Sequence, residues 1–270
     1  MTVEKKQVFE FWNQASCGED LYLANTERQG YEEQARHRYA LEPYIFDLAK
    51  FHEAKGKRVL EIGVGLGADH QQFAQAGAVL SGVDLTDRAI EHTKRRLAAF
   101  GLQSTLAVGD AENLAFADGT FDIVYSWGVL HHTPNTPKAI AEVWRILKPG
   151  GVARIMIYSK WSMIGVMLWI RYALLRLRPW MTLTEIYSKY LESPGTKAYT
   201  VAQAHQLMSA YENVRIWTVL THGDLLESMA GQRHSGRLIS IARRIWPRWL
   251  IKRLFPRAGL FMLIEGRKPA

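Results

Sequence analysis

Short apolar runs alternate with amphipathic stretches through residues 57–158. The run Val59-Leu60-Glu61-Ile62 leads into glycines at 63, 65 and 67, and a second run, AVLSGVDL, closes on Asp84 and Leu85. Apolar runs of this length, bounded by glycine or turn residues, read as buried strands, and the 3.6-period stretches between them as helices. The pattern predicts helices over 4–13 and 33–53, the second with Tyr39, Leu41, Ile45 and Leu48 as its apolar positions. Strands follow at 58–62, 78–84, 103–108, 121–126 and 151–158, separated by helices at 68–76, 87–100 and 135–147. The proline–glycine string Lys148-Pro149-Gly150-Gly151 is a helix stop. Further on, the pattern predicts a helical insertion over 160–193, a helix over 200–211, a strand over 213–220, a second insertion over 223–257, and a last strand in GLFMLIEGRK. Strands alternating with helices predict an α/β, doubly wound sheet with helices on both faces.

The order strand, glycine turn, helix, strand, acid is the front half of a nucleotide-binding fold. The glycines allow a tight turn and close approach to a ligand. Asp84 is placed to accept hydrogen bonds from two vicinal ribose hydroxyls, although it can also cap the helix that follows, where Asp87 is the better placed cap. Gly63, Gly65 and Ala68 satisfy the dinucleotide pattern G-x-G-x-x-G/A, which keeps an NAD-linked oxidoreductase open. Glu61, two residues before the first glycine, points the other way. A carboxylate there gives nothing to a pyrophosphate at a helix N-terminus and suits a ligand carrying an ammonium and a sulfonium.

Two further strings narrow the choice. Residues 109–133 read GDAENLAFADGTFDIVYSWGVLHHT and 142–151 read EVWRILKPGG. With the glycine loop and Asp84, over about 57–157, the chain resembles the class I S-adenosylmethionine-dependent methyltransferases that act on small molecules. The resemblance implies a Rossmann-like, seven-stranded, mostly parallel sheet whose last strand is antiparallel. It implies S-adenosylmethionine as cofactor, with S-adenosylhomocysteine as product. Gly63, Gly65 and Gly67 would then lie under the methionine part, Glu61 by its amino group, and Asp84 on the ribose. Asp110 would meet the adenine amino group, with Leu85, Ala111 and Glu112 lining the adenine pocket and Trp127 at the mouth, unless Trp127 is a plain core aromatic. An N-terminal helical cap, residues 1–53, would close over the cofactor. Trp12, Tyr22, Tyr31 and Tyr39 are candidates for that closure, and Tyr158 at the end of strand five is a further candidate for the acceptor side. His131 and His132 are candidate general bases, since imidazole accepts a proton near neutral pH; a structural role is the alternative. A cofactor-binding relative without catalysis also stays open.

Composition is that of a globular protein, with 48% hydrophobic and 22% charged residues in 270. That length fits one domain: a cofactor core over 57–158 with cap insertions at 160–195 and 223–257. Cys17 is the sole cysteine, so an intrachain disulfide and a thiolate metal cluster are excluded, and the histidines lack zinc-ligand spacing; no metal is expected. The N-terminal stretch has no apolar signal core and no run is long enough to span a bilayer, so a cytoplasmic protein is expected.

The net charge of +8 is unevenly spread. No acid occurs from Val143 to Thr184, nor from Ser228 to Ile264, and the latter stretch carries eight basic residues from Arg233 to Arg257. On a helical wheel, Arg237, Arg244, Arg248 and Lys252 share one side, with Ile245, Trp246, Trp249 and Leu250 on the other; Pro247 splits the helix. A basic amphipathic segment with tryptophans reads as a membrane-surface helix, at the inner membrane face, or as a solvated cap over the ligand edge. A nucleic-acid acceptor is disfavoured, because the place after strand four reads SWGVLHHTP and not an Asn/Asp-Pro-Pro-aromatic string. The expected acceptor is a small or lipid-like molecule.

Overall fold

The computed structural model describes residues 2–227, 244 and 246–270. Its centre is a seven-stranded sheet in the order β3-β2-β1-β4-β5-β7-β6. The strands are β1 (Arg58–Ile62), β2 (Val79–Asp84), β3 (Thr105–Val108), β4 (Phe121–Trp127), β5 (Leu147–Tyr158), β6 (Glu212–Val219) and β7 (Phe261–Arg267). All are parallel to their neighbours except β7, which runs antiparallel to β5 and β6. This is the Rossmann-like methyltransferase fold that the sequence pattern and the resemblance imply.

Side chains leave a strand alternately to its two faces. Val59, Ile123, Tyr125 and Trp127 go to one face, where they pack with Phe73 and, from the chain's N-terminal part, Ile45, Leu48 and Phe51. Leu60, Ile62 and Val124 go to the other, against Ile140, Val143 and Ile146. Those three lie on one side of α7 (Thr136–Ile146), which Asn135 caps by accepting from the Lys138 amide.

The N-terminal part is α1 (Val3–Gln14), α2 (Glu19–Tyr22), α3 (Arg28–Leu41) and α4 (Ile45–Ala49), followed by a 3-10 turn over Phe51–Ala54. The single helix expected over 33–53 is thus broken. Pro43 disfavours helical geometry at Glu42, and Lys50 takes a left-handed backbone with φ of 46°. Between the strands lie α5 (Ala68–Gln75) and α6 (Asp87–Ala99). The N-cap of α6 is Thr86, whose side chain accepts from the Ala89 amide, and not Asp87, which sits in the first turn. The Lys148–Gly151 string is absorbed into β5 as an irregularity: Phe121 pairs with Leu147, but Ile123 pairs with Val152. The first insertion supplies α8 (Met163–Tyr172) and α9 (Leu183–Tyr190); α10 (Val201–Leu207) precedes β6.

Of the second insertion, α11 (Arg248–Leu254) is described. Arg237 and Ile245 of the expected basic wheel, with Arg233 and Arg243 of the same basic stretch, lie outside the described residues. The described part departs from the wheel. Trp246 turns inward and donates to the Asp224 carbonyl, Arg248 turns to the carbonyls of Leu225 and Leu226, and Trp249 is exposed. The described helix begins only after Pro247, which stands at its N-cap. Among the described residues, no helix is long and apolar enough to cross a membrane.

Candidate functional site

Strand order reverses between β1 and β4, and the crevice beyond the carboxyl ends of the strands at such a point is where ligands bind in open α/β sheets. Here it opens into a cavity of about 710 Å³. Its walls come from α1, the glycine loop, the ends of β2, β3 and β4, then α8, the turn after β6, and Trp246.

Gly63 has φ of 83°, and a Cβ there would drive into the Val129 side chain. Gly65 has φ of 52° and open space where its Cβ would be, so the loop presents bare backbone to the cavity. Two buried charged groups hold this loop. The fully buried Arg96 donates to the Leu66 carbonyl at 3.0 Å, and to Gln71, Gln34 and the Tyr31 carbonyl; burial pulls its pKa to about 10, so it stays charged. Asp69 accepts from Arg38 at 3.2 and 2.8 Å, from Tyr39 at 3.0 Å and from Tyr125 at 2.8 Å.

Glu61 is buried on the cavity wall and meets His70 Nδ1 at 2.8 Å, while His70 Nε2 meets Ser104 at 2.6 Å. Burial pulls His70 down to about 3, so the ring is neutral and its Nδ1–H serves Glu61. Burial, with the Asp69 and Asp84 carboxylates nearby, pushes Glu61 well above the usual carboxylate range. A cation beside it would reverse that shift. Asp84 accepts from the Thr86 amide and hydroxyl at 2.9 Å and from the Gly65 amide at 3.3 Å. It therefore ties the strand end to the glycine loop, and burial raises its pKa.

Leu85, Asp110 and Ala111 line the cavity, while Glu112 does not. Instead Lys5 of α1 reaches over the strand ends to Asp110 at 2.6 Å and Glu112 at 3.0 Å, and Glu112 also accepts from the Asn135 amide. Trp127 is both of the things expected of it. It lines the cavity, and it packs in the core against Tyr44, stacked at 6.0 Å, and edge-on to Phe261.

The two histidines separate. They share a 3-10 turn, Leu130–His132, whose irregular backbone brings adjacent rings to 4.2 Å. His131 is sealed in the core against the Tyr158 ring, neither ring nitrogen has a partner, and burial holds its pKa well below the ordinary value. It lines no part of the cavity, so its candidacy as base is withdrawn. His132 does line the cavity. Its Nδ1 lies 2.8 Å from Ser193 and 3.1 Å from Thr196. Its Nε2 lies 3.4 Å from a Glu192 oxygen that also accepts from Tyr158 at 2.7 Å. Among the described residues, His131, His132 and Glu192 offer donor atoms within 4.8 Å of one another, the one place found with a metal-like donor set.

Of the lid candidates, Trp12 lies edge-on to His132 at 5.4 Å, and Tyr22 and Tyr158 line the cavity. Tyr31 and Tyr39 lie elsewhere: Tyr31 is buried under Arg96, and Tyr39 hydrogen-bonds Asp69 behind the loop. Cys17 is exposed and lines the cavity. Sequence reasoning did not find Lys5, Arg38, Asp69, Arg96 or Glu192. Each acts through contacts far along the chain, and none stands in a recognisable motif.

Comparison with known proteins finds a match over the core of the sheet. The family described as a methyltransferase domain matches residues 60–155. Over that stretch, about a third of its length, the chain is similar to the class I S-adenosylmethionine-dependent methyltransferases. It is 34% identical over 110 residues to a demethylmenaquinone methyltransferase of Symbiobacterium thermophilum, covering 38% of this chain and 43% of that protein. It is also 34% identical over 122 residues to a fatty-acid O-methyltransferase of Mycolicibacterium smegmatis, covering 44% and 43%. The match thus spans less than half the length of these relatives. A solved phosphoethanolamine N-methyltransferase 2 of Haemonchus contortus aligns with a TM-score of 0.63 at 18% identity, over 97% of this chain and 60% of that one, which is a likeness of fold.

Proposed function

We propose that this methyltransferase moves a methyl group from S-adenosylmethionine to an apolar or lipid-like acceptor. The observation that carries this reading is the continuity of the cavity. One end has the glycine loop, Asp84 and Asp110; the other has His132, Tyr158 and the apolar side chains of α8. A volume of about 710 Å³ has room for a cofactor and part of an acceptor together.

The residues present fit the cofactor. Gly65 leaves room for close approach, Glu61 offers a carboxylate to an ammonium, and Arg38 on the same wall offers a guanidinium to a carboxylate. Asp84 would hold the ribose and Asp110 the adenine, with Lys5 latching α1 over them. S-adenosylmethionine, when bound, supplies a methyl already activated on a sulfonium. The chain's part is alignment, exclusion of water and removal of the acceptor's proton. Thr196 Oγ1 donates to the Ser193 carbonyl at 2.6 Å, so it is free to accept from His132 Nδ1–H. That tautomer leaves the lone pair on Nε2, a buried atom 3.4 Å from the Glu192 carboxylate on the cavity wall. The acceptor's proton passes to Nε2, and the Glu192 carboxylate stabilises the imidazolium.

Of the proteins named above, two are named for demethylmenaquinone and for a fatty acid, which agrees with an apolar acceptor, and the third, a likeness of fold alone, is named for the polar phosphoethanolamine. The test is calorimetry with S-adenosylhomocysteine and with NAD, followed by turnover on a panel of apolar hydroxyl, amine and acid acceptors. Binding of NAD alone would favour the oxidoreductase, and cofactor binding without turnover a non-catalytic relative. His132→Ala should lose about 10²–10⁴ in turnover while S-adenosylhomocysteine affinity is kept. Dialysis against a chelator should leave turnover unchanged.

A further inference from the structure

The acceptor end of the cavity opens onto an unusual face. Between Val166 and Trp180, six large apolar side chains are exposed: Val166, Ile170, Leu174, Leu175, Leu177 and Trp180. Leu177 is 83% exposed and Trp180 74%. Leu177 also takes a left-handed backbone, φ 56°, at the tip of the turn after α8. A leucine held outward in a conformation that leucine disfavours is not there to fill a core.

Scattered exposed apolar residues are ordinary, but a contiguous patch marks an interaction site. Charge says what kind. This stretch lies within the acid-free run from Val143 to Thr184, and Arg171, Arg176 and Arg178 stand among the apolar residues. Arg171 and Arg176 lie over the Tyr172 ring, their apolar stems along the surface. Leucine, tryptophan and arginine together on a short helix and turn, with no span long enough to cross, suit the interface of an anionic bilayer.

Continuity with the cavity gives the second, independent observation. Ile170 and Leu175 are exposed on this face, and both also line the cavity. The mouth therefore opens through the apolar patch itself. Behind it the wall continues with Met167, Leu168, Leu191 and Leu226.

We propose that residues 166–180 seat the protein on an anionic membrane surface, so that a lipid acceptor passes from the bilayer between Ile170 and Leu175 into the cavity. Membrane seating stands on the surface alone; the passage of an acceptor rests on the proposed function. The membrane contact is thus placed on α8 and its following turn, apart from the 233–257 segment that the sequence pattern singles out, part of which lies outside the described residues.

The full chain is sedimented with vesicles of phosphatidylcholine alone and of phosphatidylcholine with phosphatidylglycerol. Binding is expected to the anionic vesicles, at least tenfold weaker to the neutral ones, and weakened by salt. Leu177→Ser with Trp180→Ser should reduce anionic binding at least tenfold at unchanged S-adenosylhomocysteine affinity. Both side chains are exposed, so retained cofactor affinity reports an intact fold. In a Cys17→Ser background, Leu177→Cys carrying a polarity-sensitive dye should shift to the blue on anionic vesicles only. Wild-type protein that ignores anionic vesicles at low salt overturns the proposal. So does binding unchanged in the double variant, or a dimer in solution that the double variant abolishes, which would assign the face to a second copy. Failure to bind S-adenosylhomocysteine would overturn the proposed function and leave the vesicle result standing.

Discussion

The two ends of the cavity are built on opposite principles. At the glycine-loop end, buried charges fix the wall: Asp69 takes four hydrogen bonds from Arg38, Tyr39 and Tyr125, and Arg96 makes four to side chains and carbonyls. At the α8 end the wall is Met167, Leu168, Ile170 and Leu175, with His132, Tyr158 and Glu192 as a small polar group among them. A ligand with an ammonium, a carboxylate and two ribose hydroxyls is held by partners whose geometry must be right, because each unpaired buried group is costly. An apolar acceptor is held by area and shape, which many arrangements of aliphatic side chains supply.

The largest effect that separates the two ends is on stability. Asp69→Ala leaves Arg38 without its main partner and two tyrosines without an acceptor. Breaking a buried pair in this way costs about 3–5 kcal/mol. Met167→Ala, on the half-buried apolar wall, should cost less than about 2 kcal/mol, the low end for deleting a buried aliphatic chain. Urea unfolding of the two variants measures both. Equal costs would mean that the charged network is not what makes the loop end rigid.

Asp84→Asn tests recognition in place of stability. The amide keeps the shape but loses acceptor capacity, so affinity for S-adenosylhomocysteine should fall by about 1–3 kcal/mol, roughly five- to 150-fold. Calorimetry gives the number. An unchanged affinity would remove Asp84 from the ribose and leave it as the tie between Thr86 and Gly65.

The same contrast explains what could be read in the chain. The glycine loop, Asp84 and Asp110 stand at the ends of strands, in strings short enough for local physics to dictate them. The seven-stranded sheet with its antiparallel last strand came from the resemblance that those strings carry, and the strand order from the structure. The acceptor end has no such string. Glu192 meets His132 sixty residues away because α9 packs beside the sheet, and Lys5 meets Asp110 across 105 residues. A lysine on a polar helix looks like any other until the fold is known. The His131-His132 doublet was legible as a site but not in its division, since the 3-10 turn that buries one ring and turns the other to the cavity depends on Tyr158 from β5. The basic wheel departs from the described residues at Trp246, which turns inward to the Asp224 carbonyl, while Trp249, placed on the same side of the wheel, is exposed.

The smallest expected effect lies where the two ends meet. Glu42 stands on the cavity wall 3.3 Å from Arg38, and its carboxyl also feels Asp69 on one side and Glu192 on the other. Burial outweighs Arg38, with those two carboxylates adding to it, and raises the Glu42 pKa from 4.5 to about 7. An acid whose folded pKa is raised destabilises the fold only when it must ionise. The penalty is absent below the unfolded pKa, grows as pH rises between 4.5 and about 7, and is complete above that. The shift sets a ceiling of roughly 3 kcal/mol. Because the side chain opens on the cavity, and because a neutral amide would no longer pair with Arg38, the expected gain from Glu42→Gln is about 1 kcal/mol at pH 8, fading to nothing near pH 4.5. Thermal unfolding of the ligand-free protein across that range measures it. A gain that is constant with pH would mean that the carboxyl is neutral or paired throughout. A loss at pH 8 would mean that Arg38 needs Glu42 as much as it needs Asp69, so that the charged network extends from the cofactor end into the acceptor end and the two are one.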